Sequence, residues 1–231
     1  MNIPDPKDAL RNIEIFGGLD DDACSAIAQM IRWRNYGKGV EVVTFKDTSQ
    51  DVYFIASGRL RATIFSYSGK EISYEELDAG DMFGELSAIV GEPRATNVIV
   101  LSASRIGSMS GSDFWRVLHE YPDVADRVLK RVAKLVRHLC ERVYKYCVLD
   151  VKDRVRSEIL RLANESEQHG NKVVIRNMPT HVEIAHRINT RREAVTRELN
   201  ELKKKGLISQ DKRVLIINDI DALADLLSED I

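Results

Sequence analysis

An arginine and a glutamate nine residues apart form the chemically most informative pair in the chain. Arg94 and Glu85 lie within GDMFGELSAIVGEPRATN (80–97), where Gly84 directly precedes the glutamate. Arginine is always charged, and its planar fork matches phosphate oxygens. The stretch ELSAI predicts one short helical turn, and free N–H groups at a helix start attract phosphate. The segment therefore offers a phosphate site made by backbone at Gly84, Leu86 and Ser87 together with Arg94, with Glu85 able to accept from a sugar hydroxyl.

The same spacing is compatible with an internal Arg94–Glu85 salt bridge, because a buried arginine needs an anion and a carboxylate could serve. We place Arg94 in a mostly apolar, strand-like stretch. The spacing alone favours neither interpretation.

A second informative segment runs from Met178 to Ile217, MPTHVEIAHRINTRREAVTRELNELKKKGLISQDKRVLII. Thr180 with Glu183, and Thr190 with Glu193, have capping-box spacing and predict helices at 181–188 and 191–205. Asn189 suits the left-handed turn between them. Gly206 would end the second helix, and residues 207–217 predict a β-hairpin. This pattern is typical of a winged helix-turn-helix.

The second of these helices presents polar side chains near its N-terminal end, where a recognition helix meets base edges. Arginine can bond guanine bidentately, and glutamate can accept from cytosine. Lys203, Lys204, Lys205, Lys212 and Arg213 could meet phosphates. A solvated charged helix is the alternative, but caps, turn and wing together favour DNA. The DNA-binding candidates are Thr180, Thr190, Arg191, Arg192, Glu193, Thr196, Arg197 and Lys204.

The rest of the chain divides by texture. Residues 1 to about 35 are predicted to be helical, and 37–108 hold short β-rich runs: VEVVTF, DVYFIAS, LRATIFS, EISYEEL and TNVIVLS. Such runs suggest an antiparallel sandwich or roll. A long helix follows from Tyr121, and LDVKDR (149–154) is predicted to be a hinge. The fold class is therefore α+β.

The long helix carries an apolar seam at steps of three or four residues, which resembles half of a coiled coil. We favour a homodimer over packing of this seam within its own domain. The seam consists of Val124, Val128, Val132, Leu135, Leu139, Val143 and Tyr146.

Composition excludes several classes of protein. The net charge is −2, so any nucleic-acid site must be local. Cys24, Cys140 and Cys147 form no CxxC pair, which argues against structural zinc and a disulfide framework. We expect no metal and, with no Walker loop, nucleophile elbow or HExxH motif, no enzyme. No membrane span or signal peptide is recognisable, so we expect a cytoplasmic protein.

The segment FGELSAIVGEPRAT resembles the phosphate-binding cassette of cyclic-nucleotide-binding domains, whose pattern is FGELA…PRxA. The match covers Phe83, Gly84, Glu85, Leu86, Pro93 and Arg94. With IEIFGGLDDD, DVYFIASGRLRATI, the long helix and RREAVTR, the whole chain resembles the Crp–Fnr family of bacterial transcription regulators, most strongly its cAMP-receptor members.

The resemblance implies three segments: a β-roll (jelly-roll) cyclic-nucleotide-binding domain at 1–120, a dimerisation helix at 121–149 and a winged helix-turn-helix at 150–231. It implies that Glu85 binds the ribose 2′-hydroxyl and Arg94 the cyclic phosphate, with Ala95 and Thr96 beside phosphate and base. It implies that Arg192, Glu193 and Arg197 read a TGTGA-type half-site of double-stranded DNA in a palindrome. RNA polymerase is a further implied partner, and a membrane is not.

Departures from the family leave the nucleotide base open. Where the family's cAMP receptors carry a Thr-Ser pair on the dimer helix, this chain has Leu139 and Cys140, with His138 next to them. Ala95 favours cAMP, and Thr96 could blur that preference, so cGMP or dual use stays open. The cassette and the cysteine positions disfavour haem and iron–sulfur sensors. A regulator that binds DNA without a ligand is the alternative, against which intact Glu85 and Arg94 argue.

Overall fold

The computed structural model describes residues 6–65 and 71–228. The first described elements are α1 (Pro6–Arg11), a 3-10 turn (Glu14–Phe16) and α2 (Asp21–Ala28). Asp20 caps α2 by accepting from the Ala23 N–H at 2.8 Å. Residues 1–5 of the predicted helical segment, and Ser66 of the predicted run LRATIFS, lie outside the described residues.

Strands occupy most of the next segment and form two antiparallel four-stranded sheets. The orders are β1-β8-β3-β6 and β2-β7-β4-β5, which confirms the predicted antiparallel fold class. A short helix, α3 (Glu85–Val90), lies between β6 and β7. The strands are β1 (Arg32–Tyr36), β2 (Glu41–Val43), β3 (Val52–Ser57), β4 (Arg59–Phe65), β5 (Glu71–Asp78), β6 (Met82–Phe83), β7 (Asn97–Val100) and β8 (Ser104–Met109).

The prediction of helical structure up to about residue 35 is wrong at its end. Arg32–Tyr36 is strand β1, whose Trp33 pairs with Gly107 of β8. A side chain at Gly107 would place its Cβ 2.9 Å from the Trp33 ring, so the glycine makes room for the indole. The conformation of this segment is decided by its pairing with β8, a strand distant in sequence, and the local sequence pattern carries no signal for that pairing.

Two apolar cores stabilise this part of the chain. One lies between the sheets and is formed by inward residues such as Ile55, Leu60 and Ile106. The other joins the first sheet to the helices, with Phe16, Phe54 and other fully buried side chains. Phe16 and Phe54 are tilted rings 5.1 Å apart, a favourable aromatic arrangement.

Helix α4 (Gly111–Glu120) and the long helix α5 (Pro122–Val148) follow. Val124 and Val128 of the predicted seam are buried in the core that joins the first sheet to the helices, so for them packing within the domain is the correct interpretation. Beyond them, one stripe is exposed at a seven-residue step: Leu129 at 68%, Val136 at 53% and Val143 at 59%.

The last elements form a compact helix-turn-helix with a small sheet of order β11-β12-β10-β9. Its core includes Val155, Ile184 and Val195 from three different helices. The elements are α6 (Val151–Asn164), β9 (Glu167–His169), β10 (Lys172–Ile175), α7 (His181–Arg187), α8 (Arg192–Lys204), β11 (Ile208–Asp211), β12 (Val214–Ile217) and α9 (Ile220–Ser228).

One of the two predicted capping boxes is present. Thr180 and Glu183 bond reciprocally at the start of α7, and Asn189 has the expected left-handed φ of 53°. The second box is wrong: Arg191, without a side-chain cap bond, is the N-cap of α8. The Thr190 N–H is used in the turn, where it donates to the Ala185 carbonyl at 2.8 Å.

The predicted hinge is shorter than LDVKDR. Asp150 accepts from the N–H groups of Lys152 and Asp153 and thereby caps α6. Only Leu149 and Asp150 separate α5 from α6, and the remaining residues of the motif form the first helical turn.

The chain forms two compact units, which divide between residues 135 and 136, inside α5. The boundaries at 120 and 149 therefore stay predictions. Across 6–65 and 71–228, no helix combines the length and apolar character needed to cross a membrane.

Gly58 lies in the turn between β3 and β4, and Gly39, between β1 and β2, is a second left-handed glycine that serves as a comparison. Gly58 has φ 98° and its added Cβ would lie 2.0 Å from Ser104 Oγ, whereas Gly39 has φ 86° and open space. A left-handed alanine costs about 1–2 kcal/mol. We expect Gly39→Ala to lose about that much unfolding free energy and Gly58→Ala to lose about 2–4 kcal/mol, because the clash adds to the strain.

The measurement is urea unfolding followed by tryptophan fluorescence, since Trp33 and Trp115 both lie in the first unit. Equal midpoints for the two variants would mean that the approach of Ser104 does not constrain the turn.

Candidate functional site

Arg94 lies in the loop between α3 and β7, and not in a strand as its surroundings suggested. Its side chain is buried, with 2% exposure. The guanidinium donates to Ser49 Oγ at 3.1 Å, to the Gly84 carbonyl at 3.0 Å and to the Asp51 carbonyl at 2.8 Å. These bonds to a hydroxyl and two backbone carbonyls fix the fork in one orientation.

The alternative Arg94–Glu85 salt bridge is not formed. Among the described residues, no carboxylate lies within 4.0 Å of Arg94. The guanidinium carbon lies 5.7 Å from the centroid of the Tyr53 ring, which stacks on Phe83 with 4.8 Å between ring centroids. A buried cation without a paired anion is costly, so the arrangement favours an anionic ligand.

Gly84 is the N-cap of α3 and brings the backbone close to Arg94. Its φ is 85°, and a Cβ there would lie 2.7 Å from Arg94 Nη1 and 2.8 Å from the Asp51 carbonyl oxygen. In the described part of the chain no side chain caps α3, and the first N–H groups of a helix have no partner within it. Leu86 is partly exposed at 36%, whereas Ser87 is buried.

Glu85 is buried at 5% exposure. Burial raises the pKa of Glu85 above its ordinary 4.5, while its own backbone N–H, Arg131 and Arg94 act in the opposite direction. Arg131 of α5 donates to Asp81 Oδ1 at 3.0 Å, to Glu75 Oε1 at 3.4 Å and to the Met82 carbonyl at 3.0 Å. Burial raises the pKa of Glu75 as well. A single guanidinium thus serves a group of buried and half-buried carboxylates.

The structure brings most of the predicted ligand residues together. Phe83 to Ser87 lie where β6 meets α3, and Arg94 reaches them from its loop. Ala95 is exposed and Thr96 half-buried in the bend before β7. His138, Leu139 and Cys140 belong to the part of α5 in the second unit, and their role stays a prediction.

Sequence reasoning missed Ser49, Asp51, Tyr53 and Arg131. Asp51 acts through its backbone carbonyl, for which the sequence carries no signal. Arg131 could have been found: it follows the buried Val128 by three residues, so it shares a helix face with a core residue and needs buried partners.

Helix α8 has two distinct faces. Val195, Leu199 and Leu202 are fully buried at 0% exposure. The opposite, polar face forms a groove lined by Arg192, Glu193, Thr196, Arg197, Asn200, Glu201, Lys203 and Lys204. Five predicted DNA-binding residues therefore share one surface, on which Asn200 was missed.

The other DNA-binding candidates lie outside this groove. Thr180 caps α7, and Thr190 and Arg191 form the turn before α8.

Two lysines that line the groove have partners within the domain. Lys204 is exposed and pairs with Glu201 at 2.8 Å, whereas Lys203 donates to Gln210 of β11 at 2.9 Å.

Buried ion pairs fix the position of α8. Arg156 of α6 donates to Glu198 at 2.8 Å and to Asp153 at 2.9 Å. Both carboxylates are almost fully buried, with side-chain exposures of 6% and 5%. Removing one partner of such a pair leaves an uncompensated buried charge, so the network holds the helix in one orientation.

Comparisons with known proteins give a consistent result. Residues 33–121 match the model of the cyclic nucleotide-binding domain, and residues 153–226 match that of the Crp-like helix-turn-helix domain. A "CRP-like cAMP-activated global transcriptional regulator" of Mycobacterium tuberculosis is 25% identical over 211 residues, 91% of this chain and 94% of that protein. The "cAMP-activated global transcriptional regulator CRP" of Salmonella typhimurium is 26% identical over 172 residues, 74% of this chain and 82% of that protein.

Solved structures show the same fold. A mutant of CooA from Carboxydothermus hydrogenoformans superposes with a TM-score of 0.77 at 21% identity, covering 87% of this chain and 90% of that one. The "c-di-GMP Responsive Global Regulator CLP" of Xanthomonas campestris gives a TM-score of 0.72 at 17% identity, covering 86% and 99%.

The raised pKa of Glu85 predicts a pH-dependent stability. The folded protein binds more protons than the unfolded chain at pH values above 4.5, so rising pH weakens the folded state through this group. Glu85→Gln removes the ionisation. We expect this variant to be more stable than the natural protein at pH 7, with the difference shrinking as pH falls toward 4.5.

Thermal unfolding at several pH values, followed by tryptophan fluorescence, measures this difference. Glu92→Gln, at an exposed position, is the matched control and should leave the profile unchanged. A Glu85→Gln variant that is less stable at pH 7 would mean that contacts of the carboxylate outweigh its burial.

Proposed function

Because the chain belongs to the Crp–Fnr family of transcription regulators, we propose that it is a dimeric regulator whose DNA binding is switched by cAMP. The buried guanidinium of Arg94, which has no paired anion among residues 6–65 and 71–228, is the observation that carries the proposal. The named relatives are transcription regulators and not enzymes, in agreement with the prediction that this chain is no enzyme.

The ligand step follows from the chemistry around Arg94. The guanidinium and the uncapped N–H groups at Gly84, Leu86 and Ser87 would hold the cyclic phosphate. Glu85 would accept from the ribose 2′-hydroxyl, and Phe83, Ala95 and Thr96 would border the nucleotide. Three kinds of protein group, a guanidinium, backbone N–H groups and a carboxylate, would thereby recognise the cyclic phosphate and the ribose 2′-hydroxyl.

The base would be contacted by His138, Leu139 and Cys140 of α5. The names of the two curated relatives point to cAMP as the ligand of those proteins. We extend cAMP to this chain, with cGMP as the competitor, because Leu139 and Cys140 offer a purine different contacts from a Thr-Ser pair.

A homodimer would bury the exposed stripe of α5. Leu129, Val136 and Val143 recur every seven residues, which is the spacing of a coiled-coil seam. In this arrangement residues 1–120 form the ligand domain, 121–149 the dimerisation helix and 150–231 the DNA-binding domain. The protein would work in the cytoplasm, where its DNA and RNA polymerase are found.

DNA would be read by two α8 helices in successive major grooves of a TGTGA-type palindrome. Arg192 and Arg197 would bond guanine and Glu193 cytosine. Lys204, Thr180, Thr190 and Arg191 would contact the backbone. cAMP can act as a switch only if it binds the DNA-competent state more tightly than the other state.

Arg94→Ala should abolish the response to ligand. We expect Kd for cAMP to rise at least about 100-fold, because a charged phosphate contact is lost. Calorimetric titration with cAMP, and separately with cGMP, measures this directly. Arg94→Lys keeps the charge without the fork and should be intermediate, and the exposed Arg59→Ala is the control.

The same titrations distinguish the alternative. No binding of either nucleotide by the natural protein, together with DNA binding that needs no ligand, would identify a ligand-independent regulator. Unchanged cAMP binding by a folded Arg94→Ala variant would remove Arg94 from the site.

Two substitutions on α8 separate base reading from phosphate contact. Arg192→Ala should cost about 1–3 kcal/mol on the operator and relax specificity at one base position. Lys204→Ala should weaken binding to all sequences and flatten its salt dependence. Fluorescence anisotropy on operator and random duplexes at several salt concentrations measures both, and equal losses for Arg192→Ala on the two duplexes would contradict base reading.

A further inference from the structure

The hydroxyl of Thr196 is bonded within the helix-turn-helix. Thr196 Oγ1 donates to the Arg192 carbonyl at 3.0 Å, and the same oxygen lies 2.8 Å from His181 Nδ1. A hydroxyl has a single proton, so the His181 ring must be the donor in the second bond. Both bonds fix the rotation of the threonine side chain about its Cα–Cβ bond.

Thr196 nevertheless belongs to the polar face of α8. It lies one turn after Arg192 and one turn before Asn200, and all three line the groove. Its neighbour Val195 faces the core at 0% exposure. Because the hydroxyl is committed to His181 and Arg192, the methyl group is the part of Thr196 that is left for a partner in the groove.

We propose that Thr196, positioned by His181, reads a thymine in the half-site through contact between its methyl group and the thymine C5-methyl. A threonine methyl against this group is an established form of major-groove readout. The inference rests on the proposed function, in which α8 enters the major groove. In this inference Thr196 contacts one particular base, and His181 has a positioning role. No sequence pattern singled out His181.

The environment of His181 favours positioning over contact with DNA phosphates. The residue is the first of α7, directly after the Thr180 cap. Burial, together with Lys203 and Arg192, lowers the pKa of His181 below its ordinary 6.5, so the neutral form of the ring predominates at pH 7. A neutral ring is a weak partner for phosphate, but it is a good donor to a hydroxyl.

The test uses the full chain with cAMP and the best duplex that it selects from random-sequence DNA. Each thymine of one half-site is replaced in turn by deoxyuridine, which keeps base pairing and lacks the methyl group. We expect a single position at which affinity falls about fourfold, the equivalent of one buried methyl group. If replacement at every thymine leaves the affinity unchanged, the inference is overturned, although sequence-specific binding itself stays intact.

Two near-isosteric variants separate methyl from hydroxyl. Thr196→Ser keeps the hydroxyl and should bind the thymine duplex and the deoxyuridine duplex of the sensitive position equally. Thr196→Val keeps the methyl, in the single rotamer that valine strongly prefers in helices, and should retain the fourfold difference. The opposite pattern would assign the reading to the hydroxyl and overturn the proposal.

His181→Ala tests the positioning role. We expect the ratio of thymine to deoxyuridine affinity to fall toward one, and His181→Asn, whose amide can donate, to restore it. A uniform loss of affinity with an unchanged ratio would make His181 a structural residue only. If the natural protein selects no sequence at all, the proposed function itself fails, and this outcome is distinct from the others.

Discussion

The burial of the Arg94 guanidinium is the constraint on which the organisation of the ligand domain depends. Removing a charge from water costs several kcal/mol unless partners compensate. Two carbonyls and a hydroxyl supply partial compensation, and they come from the loop before β3 and from the start of α3. Gly84 must adopt a left-handed conformation and lack a side chain for this approach. The domain therefore holds a buried positive charge whose compensation is partial, which is the observation behind the proposed phosphate site.

The second charge cluster connects that site to the long helix. Arg131 of α5 bonds Asp81 and Glu75 and lies close enough to Glu85 to influence its ionisation. Val124 and Val128 anchor the same helix in the core. If Glu85 moves when it binds a sugar hydroxyl, its electrostatic interaction with Arg131 of α5 would change. The charge of Arg131 thus couples the surroundings of Glu85 electrostatically to α5.

Much of the fold and the site could be predicted from the sequence because the decisive signals are local. The Gly84–Glu85 pair, the Thr180 capping box and Asn189 each specify a turn through their own chemistry. The errors have different causes: β1 is decided by its pairing with β8, far along the chain, whereas Thr190 does not cap α8 because its N–H is used in the turn, where it bonds the Ala185 carbonyl. Ser49 and Asp51 were missed because their contacts with Arg94 arise only in the folded chain, where they lie about 45 residues from it in sequence.

The two faces of α8 have separate tasks. Val195, Glu198, Leu199 and Leu202 set its position through apolar packing and the buried pair with Arg156. The polar face has little part in that packing. If the outward residues read DNA as proposed, exchanging them would change the preferred operator and leave the packing of α8 intact, so new target genes could be reached in small steps.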